Sequence, residues 1–305
     1  MPAPNAPFTP PPMPTLMERA RGAYWGLAIG DALGATVEFM TAREISLKYG
    51  VHDKIIGGGW LHLKPGQITD DTGMTLYLGR AIIASGGWNV KAVCDSFADW
   101  MKTRPVDIGN TCRRGIMRYI HDGTMDKPYN DGDAGNGAAM RLLPVALSTI
   151  GDADICAERI LAQAHITHHH PLSDDACLSL GRMLHAALAG GGVKAIRAES
   201  NALIAKHKGF QFAPYHGMSS AYIIDTMQTV LHHFFATDNF RDFMTGVVNQ
   251  GGDADTTGAI AGMIGGALYG INAIPEEWRR KLDPIIAAEI EKQVPVLVTF
   301  SQENV

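Results

Sequence analysis

The sequence predicts an all-α fold, a single compact multi-helix domain, from three observations. Apolar residues recur at spacings of three and four along most of the 305-residue chain, and strand-like alternation is scarce. Two series of glycines four residues apart, at 22–34 and 258–270, indicate two helices that each carry a stripe of small residues. A glycine weakens a helix by about 1 kcal/mol relative to alanine, so the stripes need a packing reason. We therefore expect these two helices to pack near each other in the core.

The elements follow in chain order. Thr15 and Glu18 have the spacing of a capping box, which predicts a first helix beginning after Pro14. Further helical periodicity covers 72–85, 89–103, 111–121, 137–149, 153–167, 173–189, 193–207, 219–235, 239–250 and 276–292. The best strand signal is the segment 296–300. The glycine-rich connections at 50–68 and 122–136 are long enough to predict functional loops. Residues 1–14 are rich in proline and predict a flexible arm, and no linker divides residues 15–305.

Composition restricts the class of protein. A chain with 46% hydrophobic and 19% charged residues has the composition of a soluble globular protein. A net charge of -5 without a Lys/Arg cluster gives no reason to expect nucleic-acid binding. The four cysteines form no CxxC motif, and the N-terminus lacks the features of a secretory signal, so we expect reduced thiols in a cytoplasm. The uncharged stretch 256–275 is rich in Gly, Ala and Thr, which favours a buried core helix over a membrane span.

Two acidic clusters lie far apart in the chain, and each enters an uncharged, helix-like segment. Together they comprise Thr69, Asp70, Asp71, Asp253, Asp255 and Thr256. Four carboxylates and two hydroxyls are the oxygen ligands that hard divalent cations prefer, and four negative charges would balance two such ions. Buried without metal, the carboxylates would repel one another and their pKa values would rise. Helix capping by aspartate explains either cluster alone, but it explains the coincidence of both less well.

Several further motifs accompany these clusters in a fixed order along the chain. They are GLAIGDALGATVEF (26–39), ITDDT (68–72), DIGNT (107–111), GNGAAMRLLPVAL (135–147), ITHHHP (166–171) and NQGGDADTTGAIAGMIGGALYG (249–270). With this set the chain resembles the ADP-ribosylglycohydrolase family over nearly its whole length. The resemblance implies an all-helical fold with a binuclear metal site for two divalent ions, Mn(II) favoured and Mg(II) the alternative. It is strongest to bacterial members that act on the nitrogenase iron protein.

The resemblance also implies the roles of individual residues. The two acidic clusters match the metal-binding motifs, and Asp107 and Glu38 match carboxylates near the metals with a catalytic role. The substrate-binding positions would be Asn110, Gly135, Asn136, Gly137, Met140, His168 and Tyr222. From the residues alone, a Gly-Asn-Gly loop before a helix offers amide groups to a phosphate, although a plain helix-entry turn explains it equally well. Among the four histidines between 165 and 170, we expect one substrate-facing histidine with solvated neighbours rather than a zinc site.

The implied function is a hydrolase that cleaves the N-glycosidic bond between ADP-ribose and an arginine side chain. The implied target is dinitrogenase reductase, whose reactivation would regulate nitrogen fixation. Asp107 or Glu38 would orient or deprotonate the attacking water, and the residues do not choose between them. Further implied partners are a PII-type signalling protein and an ammonium channel, with reversible peripheral membrane association of an otherwise cytoplasmic monomer.

Two other functions are open to a chain of this kind. The pairs His52-Asp53 and His121-Asp122 suggest an HD-type binuclear phosphohydrolase, but that interpretation leaves both acidic clusters unexplained. An inactive ADP-ribose-binding module is the second alternative. It predicts the loss of metal-binding carboxylates, and none is missing here. Both are therefore less favoured than the hydrolase.

Overall fold

The computed structural model describes residues 13–302, which form fourteen α-helices and three short 3-10 turns without any β-sheet. The all-α prediction is confirmed. The helices are α1 (Leu16–Gly34), α2 (Ala42–Tyr49), α3 (Asp70–Ala84), α4 (Val90–Lys102), α5 (Asn110–Asp122), α6 (Leu143–Ser148), α7 (Ala153–Ala164), α8 (Pro171–Leu188), α9 (Gly192–Lys206), α10 (Ile223–Ala236), α11 (Phe240–Val248), α12 (Ala254–Tyr269), α13 (Glu276–Arg279) and α14 (Pro284–Gln302).

Helices α1 and α12 lie at the centre of the fold and pack antiparallel through their glycines. A Cβ atom added to Gly26 would lie 2.1 Å from the carbonyl oxygen of Gly262, and one added to Gly30 would lie 2.0 Å from that of Gly258. Such distances are shorter than any van der Waals contact, so these backbones can approach only where side chains are absent. The packing predicted from the two glycine stripes is confirmed.

The same packing brings the end of α1 to the start of α12. A Cβ atom added to Gly34 would lie 2.1 Å from the carbonyl oxygen of Ala254, the first residue of α12. The chain then turns, and the amide of Phe39 donates to the carbonyl of Gly252 at 2.6 Å. The turn after α1 and the loop before α12 are therefore fixed side by side.

The predicted strand at 296–300 is wrong, because these residues lie inside α14. Ile290, Val294, Leu297 and Val298 are all buried. Their spacings of four, three and one are those of one face of a helix rather than of a strand. Within 296–300 the buried residues are the neighbours Leu297 and Val298, whereas Val296 is exposed, so burial does not alternate as it would in a strand.

The structure shortens one predicted helix, divides another and contains a short helix that was not predicted. The segment 137–149 is helical only from Leu143, because the amides of residues 139 and 140 bond to the carbonyl of Asn136 in a turn and Pro144 begins a new helix. The segment 276–292 divides before Pro284, since a residue preceding proline is disfavoured in a helix. The short α2 was missed, although Thr41 and Glu44 form a capping box.

The structure also bears on the cysteines and on the possibility of a membrane span. All four cysteines are buried and free. Within residues 13–302, none of the helices has both the length and the apolar character needed to cross a membrane. Most of the predicted N-terminal arm lies outside the described residues, and the division into an arm and one domain stays a prediction.

Candidate active site

A cavity of about 530 Å³ lies where the ends of α1, α3, α5 and α12 meet. Residues from both acidic clusters and from both long connections line it. The predicted site residues in its wall are Glu38, Asp70, Asp107, Asn110, Gly135, Asn136, Gly137, Met140, His168, Asp253, Asp255 and Thr256. The structure therefore brings together residues that are up to 218 positions apart in the chain (256 − 38).

The first acidic cluster is held against α1 by a carboxylate that sequence analysis missed. Asp31 is fully buried and accepts hydrogen bonds from the amide and hydroxyl of Thr69, at 3.0 and 2.9 Å. It also accepts from the amide and hydroxyl of Thr72, at 3.1 and 2.5 Å. These four donors include amides at the start of α3, which stabilise a negative charge. Asp31 thus holds the start of α3 in place and fixes the position of Asp70 and Asp71 there.

The second acidic cluster occupies the start of α12. The side chain amide of Asn136 donates to one carboxylate oxygen of Asp253 and, at 2.9 Å, to the hydroxyl of Thr226. Carboxylate oxygens of Glu38, Asp253 and Asp255 lie within 4.8 Å of one another. The start of α12 and the turn after α1 thus contribute to one group of oxygens, as the packing of the two helices requires.

Asp71 connects the two clusters. One of its carboxylate oxygens accepts from the hydroxyl of Thr69 at 3.0 Å and from that of Thr256 at 3.4 Å. The other oxygen is buried and has no hydrogen-bond partner among the described residues. A buried carboxylate oxygen without a partner is costly. Neither Thr69 nor Asp71 lines the cavity wall, although Asp71 contacts Thr256, which does.

The electrostatics of the cavity favour a cation. Burial, followed by repulsion from Asp107, raises the pKa of Asp70 to about 7. Burial also raises the pKa values of Asp71 and Asp255 well above their ordinary values, with neighbouring carboxylates adding to the shift. None of the described residues that line the cavity is a lysine or arginine. Buried carboxylates, a partnerless oxygen and the lack of a basic side chain fit divalent cations with oxygen ligands.

These shifts predict how the stability of the metal-free protein depends on pH. The pKa values of Asp70 and Glu38 are raised from 3.8 and 4.5 to about 7 and about 8. The folded state therefore binds more protons than the unfolded state between about pH 4 and pH 8, and stability falls as pH rises through this window. We expect the melting temperature measured in a chelator to fall by several degrees between pH 5 and pH 8. Excess Mn(II) should remove most of that fall. A melting temperature in the chelator that does not change with pH would contradict the raised pKa values of Asp70 and Glu38.

Glu38 and Trp60 form a second feature of the cavity that only the structure shows. The indole N–H of Trp60 donates to a carboxylate oxygen of Glu38 at 2.6 Å. Burial is the main cause that raises the pKa of Glu38 to about 8, whereas this hydrogen bond opposes the shift. The rings of Trp60 and Phe39 lie 5.3 Å apart, and both residues are exposed at the cavity mouth. Asp107 also lines the cavity, and its carboxylate accepts from the amide of Ile108 at 2.8 Å.

The Gly-Asn-Gly loop and His168, predicted to bind substrate, form another part of the cavity wall. A Cβ atom on Gly137 would lie 2.8 Å from the ring of His168, so glycine is required for this contact. The ring nitrogen Nδ1 of His168 lies 2.8 Å from the hydroxyl of Thr167. Burial, and then the nearby guanidinium of Arg141, lower the pKa of His168 well below its ordinary value. His168 is therefore neutral and can donate or accept a hydrogen bond.

Tyr222 differs from the other predicted substrate residues. Its backbone pairs with that of Gly135, and its side chain is exposed rather than part of the cavity wall. The neighbouring Ala221 lines the cavity instead, and its carbonyl accepts from the amide of Asn136. The backbone around Tyr222 thus supports the Gly-Asn-Gly loop.

Sequence signals for the missed residues existed in part. Asp31 is the one charged residue in the glycine-rich stretch 22–37, and a charged side chain is expensive to bury without a purpose. Arg141 is likewise fully buried in an apolar motif and donates to the carbonyl of Gln163 and the hydroxyl of Thr167. Trp60 lies in an irregular loop, and no local pattern connects it with Glu38.

The histidine–aspartate pairs that suggested a phosphohydrolase lie elsewhere. His52 is buried with Nε2 2.9 Å from the carbonyl oxygen of Leu33. His121 and Asp122 are exposed at the end of α5. Neither pair lines the cavity, and the two pairs do not share a metal-type cluster. The HD-type alternative therefore has no site in the described structure.

Comparison with known proteins gives a consistent result. A sequence model of the ADP-ribosylglycohydrolase family matches residues 12–303. A Rhodospirillum rubrum protein described as ADP-ribosyl-[dinitrogen reductase] glycohydrolase is 59% identical over 288 residues, which cover 94% of this chain and 98% of that protein. The ADP-ribosylarginine hydrolase Tri1 of Pseudomonas putida (strain GB-1) is 31% identical over 284 residues, covering 87% of this chain and 74% of that protein. A solved structure described as an ADP-ribosylglycohydrolase-related protein complex superposes with a TM-score of 0.81 at 31% identity, covering 94% of this chain and 99% of that one.

Proposed function

Since the chain belongs to the ADP-ribosylglycohydrolase family and is a glycohydrolase, we propose that it removes ADP-ribose from an arginine of dinitrogenase reductase. Removal would reactivate that protein and so regulate nitrogen fixation. The observation that carries the proposal is the convergence of both acidic clusters with Glu38 and Asp107 on one cavity. The names of the Rhodospirillum relative and of Tri1 support the target protein and the arginine linkage respectively.

We further propose that two divalent ions, with Mn(II) favoured over Mg(II), occupy the carboxylates of the cavity. Asp70, Asp71, Asp253 and Asp255 would supply the charge, with Thr256 as an oxygen ligand at the start of α12. Thr69 would supply a second hydroxyl ligand. Its oxygen lies 2.9 Å from a carboxylate oxygen of Asp31 and 3.0 Å from one of Asp71, so it also positions Asp71. When bound, such ions would supply positive charge that lowers the pKa of water and orients ribose hydroxyls.

The protein's own residues would guide the hydrolysis. Water adds to the anomeric carbon of the ribose as the bond from that carbon to the arginine nitrogen breaks. The positive charge that develops on the sugar is stabilised by the surrounding carboxylates. The guanidine group accepts a proton as it leaves, which costs little because guanidine is a strong base. Asp107, which lines the cavity and accepts from the amide of Ile108, would orient and deprotonate the water.

The roles of Asp107 and Glu38 can be separated by conservative substitution. Asp107→Asn should lower turnover by about 10²-fold or more while both metals stay bound, because Asp107 is proposed as the base and not as a metal ligand. Glu38→Gln should lower turnover and metal occupancy together, since Glu38 lies within 4.8 Å of Asp253 and Asp255. Turnover and Mn(II) content are measured on the same preparations. Near-normal turnover in both variants would remove these residues from the mechanism.

The linkage and the target are tested by the release of ADP-ribose from different substrates. Dinitrogenase reductase modified on arginine, a serine-modified protein and poly-ADP-ribose are incubated with the enzyme in Mn(II) and in Mg(II). We expect rapid release from the arginine-linked protein alone and faster release in Mn(II). The Asp107→Asn variant is the control for contaminating hydrolases. Release from the serine-linked or polymeric substrate at the same rate would contradict the proposed specificity.

The regulatory partners belong to the same proposal. We infer that a PII-type signalling protein and an ammonium channel bind the enzyme as a monomer and recruit it reversibly to the membrane. The support is the resemblance to the nitrogenase-linked members of the family. Co-sedimentation with membrane vesicles that contain the channel, with and without the PII-type protein, measures this recruitment.

A further inference from the structure

Two aromatic side chains of the catalytic cavity are exposed next to each other. Phe39 is 66% exposed and Trp60 is 49% exposed, and both line the cavity. Their ring centroids lie 5.3 Å apart at an interplanar angle of 48°. Large apolar side chains that stay exposed together beside a cavity are typical of ligand-binding sites. We call Phe39 and Trp60 the aromatic pair.

The backbone holds Phe39 in a conformation that aromatic residues rarely adopt. Its φ is 62°, in the left-handed region, where a Cβ atom crowds the backbone. The amide of Phe39 donates to the carbonyl of Gly252 at 2.6 Å, and the amide of Gly252 donates to the carbonyl of Met40 at 2.8 Å. These bonds tie Phe39 to the loop before α12. Strained backbone of this kind is concentrated at active sites and ligand-binding sites, where the surrounding contacts enforce it.

Trp60 is held beside Glu38 by its loop and by its own side chain. A Cβ atom added to Gly59 would lie 2.3 Å from the carbonyl oxygen of Ala35, so the loop packs directly on the turn after α1. The indole N–H of Trp60 donates to Glu38 at 2.6 Å. The N–H is therefore already used, whereas the exposed part of the ring can contact a ligand.

The surroundings of the aromatic pair suit a planar cation. Five carboxylates line the same cavity, those of Glu38, Asp70, Asp107, Asp253 and Asp255. Two bound divalent ions would balance four acidic side chains of the site, and the charges of Glu38 and Asp107 would remain. Within residues 13–302, no lysine or arginine of the protein lies over either ring of the pair. A guanidinium is planar and weakly hydrated, and it stacks on aromatic faces.

We propose that Phe39 and Trp60 hold the guanidinium of the arginine from which ADP-ribose is released. The inference rests on the proposed function and names the residues that recognise the arginine side of the substrate. The bond that breaks joins the guanidinium to the anomeric carbon, so the guanidinium lies beside the carboxylates that act on that carbon. Glu38 is one of them, and it precedes Phe39 in the chain and accepts from Trp60. A serine linkage or a ribose polymer presents no planar cation there, so the aromatic pair would favour arginine.

The adenine of ADP-ribose is the other planar group that an aromatic pair could hold. Two observations favour the guanidinium. Trp60 is bonded to Glu38, whose carboxylate lies within 4.8 Å of those of Asp253 and Asp255, whereas adenine is separated from the anomeric carbon by two sugars and a diphosphate. Adenine is also neutral, so an acidic cavity wall does not attract it.

The test separates recognition of the guanidinium from recognition of ADP-ribose. The substrate is ADP-ribosyl-arginine free of protein, and free ADP-ribose, which lacks the guanidinium, is measured as an inhibitor of the same reaction. We expect Phe39→Leu to raise KM for the substrate about 10-fold and to leave Mn(II) content and the inhibition constant of ADP-ribose unchanged. Leucine keeps an apolar side chain at an exposed position, so the fold is preserved. Phe39→Tyr keeps the ring and should have the parental KM.

Trp60 is tested by a matched pair of variants, because its ring and its N–H contact different groups. Trp60→Phe and Trp60→Leu both lose the hydrogen bond to Glu38, but only Trp60→Phe keeps an aromatic face. The KM of Trp60→Leu should therefore exceed that of Trp60→Phe by about 5- to 10-fold, with equal inhibition by ADP-ribose. Tyr129→Leu replaces an exposed aromatic residue that does not line the cavity, and this control should behave as the parent does.

Three results would overturn the proposal. Equal weakening of ADP-ribosyl-arginine and of ADP-ribose would assign the aromatic pair to adenine or ribose. An unchanged KM in Phe39→Leu, together with equal KM values in the two Trp60 variants, would show that the rings do not hold the guanidinium. A Mn(II) content that falls in step with activity would assign the pair a structural role. The proposed function fails in a different way, since the parent itself would then release no ADP-ribose from the arginine-linked substrate, and the inference would fail with it.

Discussion

Asp71→Asn is expected to lose the bound metal and about 10³-fold in turnover while remaining folded. Asp71 is fully buried, links both acidic clusters and has one carboxylate oxygen without a hydrogen-bond partner. The substitution removes a negative charge and an oxygen from the proposed metal site, whose ions would contribute several kcal/mol to stabilising the transition state. The metal-free variant should melt at the same temperature as the parent or higher, because the amide removes repulsion from Asp70 and Asp31. Mn(II) content, turnover and melting temperature are measured together.

The control for this experiment is Asp99→Asn. Asp99 forms an exposed ion pair with Lys102 on α4, and exposed pairs contribute little to stability. The control should keep parental metal content and turnover. If Asp71→Asn retained full manganese occupancy and parental turnover, the site built from two acidic clusters would be wrong.

Gly262→Ala is expected to destabilise the protein and to weaken metal binding, although it changes no ligand. The added Cβ would lie 1.9 Å from the carbonyl oxygen of Gly26 and 2.4 Å from its carbonyl carbon. Both atoms are backbone atoms in a packed helix, so the two helices must move apart. Overpacking of a core costs typically about 1–3 kcal/mol, and we expect at least that much here, with more for Gly262→Leu. Metal sites tolerate a misplacement of only about 0.5 Å, so ligands at the end of α12 would be displaced.

Gly265→Ala on the same helix is the matched control. Its Cβ would meet the rings of Phe243 and Phe240, at 3.0 and 3.2 Å, and a side chain can move where a backbone cannot. Thermal unfolding and Mn(II) titration of both variants separate a general loss of helix stability from the loss of close packing. Parental melting temperature and manganese affinity in Gly262→Ala would show that the glycine contact does not determine the site.

Much of the site could be predicted from the sequence because its signals are local. The first turn of α3 carries two carboxylates, and the start of α12 carries two more. Within each pair the two residues are at most two positions apart, so each pair is visible in a short stretch of sequence. The two glycine stripes have a constant period, and a period is a property of the chain itself. The capping box at Thr15 and Glu18 is likewise a pattern of four residues, and the structure forms both of its hydrogen bonds.

Other features required the tertiary structure. The bond of Asp31 to Thr69 and that of Trp60 to Glu38 each join residues far apart in the sequence. No local pattern encodes such a pair, because the side chains meet only after the helices have packed.

By itself, then, the sequence determined that the protein is helical and that two glycine-rich helices pack together, and it predicted which residues supply the oxygen ligands. The tertiary structure decided how the last segment folds and how the acidic residues are arranged around one cavity. Residues 296–300 are helical because a helix buries their apolar face against the core as well as a strand would. The antiparallel contact of α1 with α12 places Glu38 beside Asp253, and Asp31 places the start of α3 beside both. The physical reason is that secondary structure follows from local periodicity, whereas a catalytic cavity depends on distances between helix ends that only packing sets.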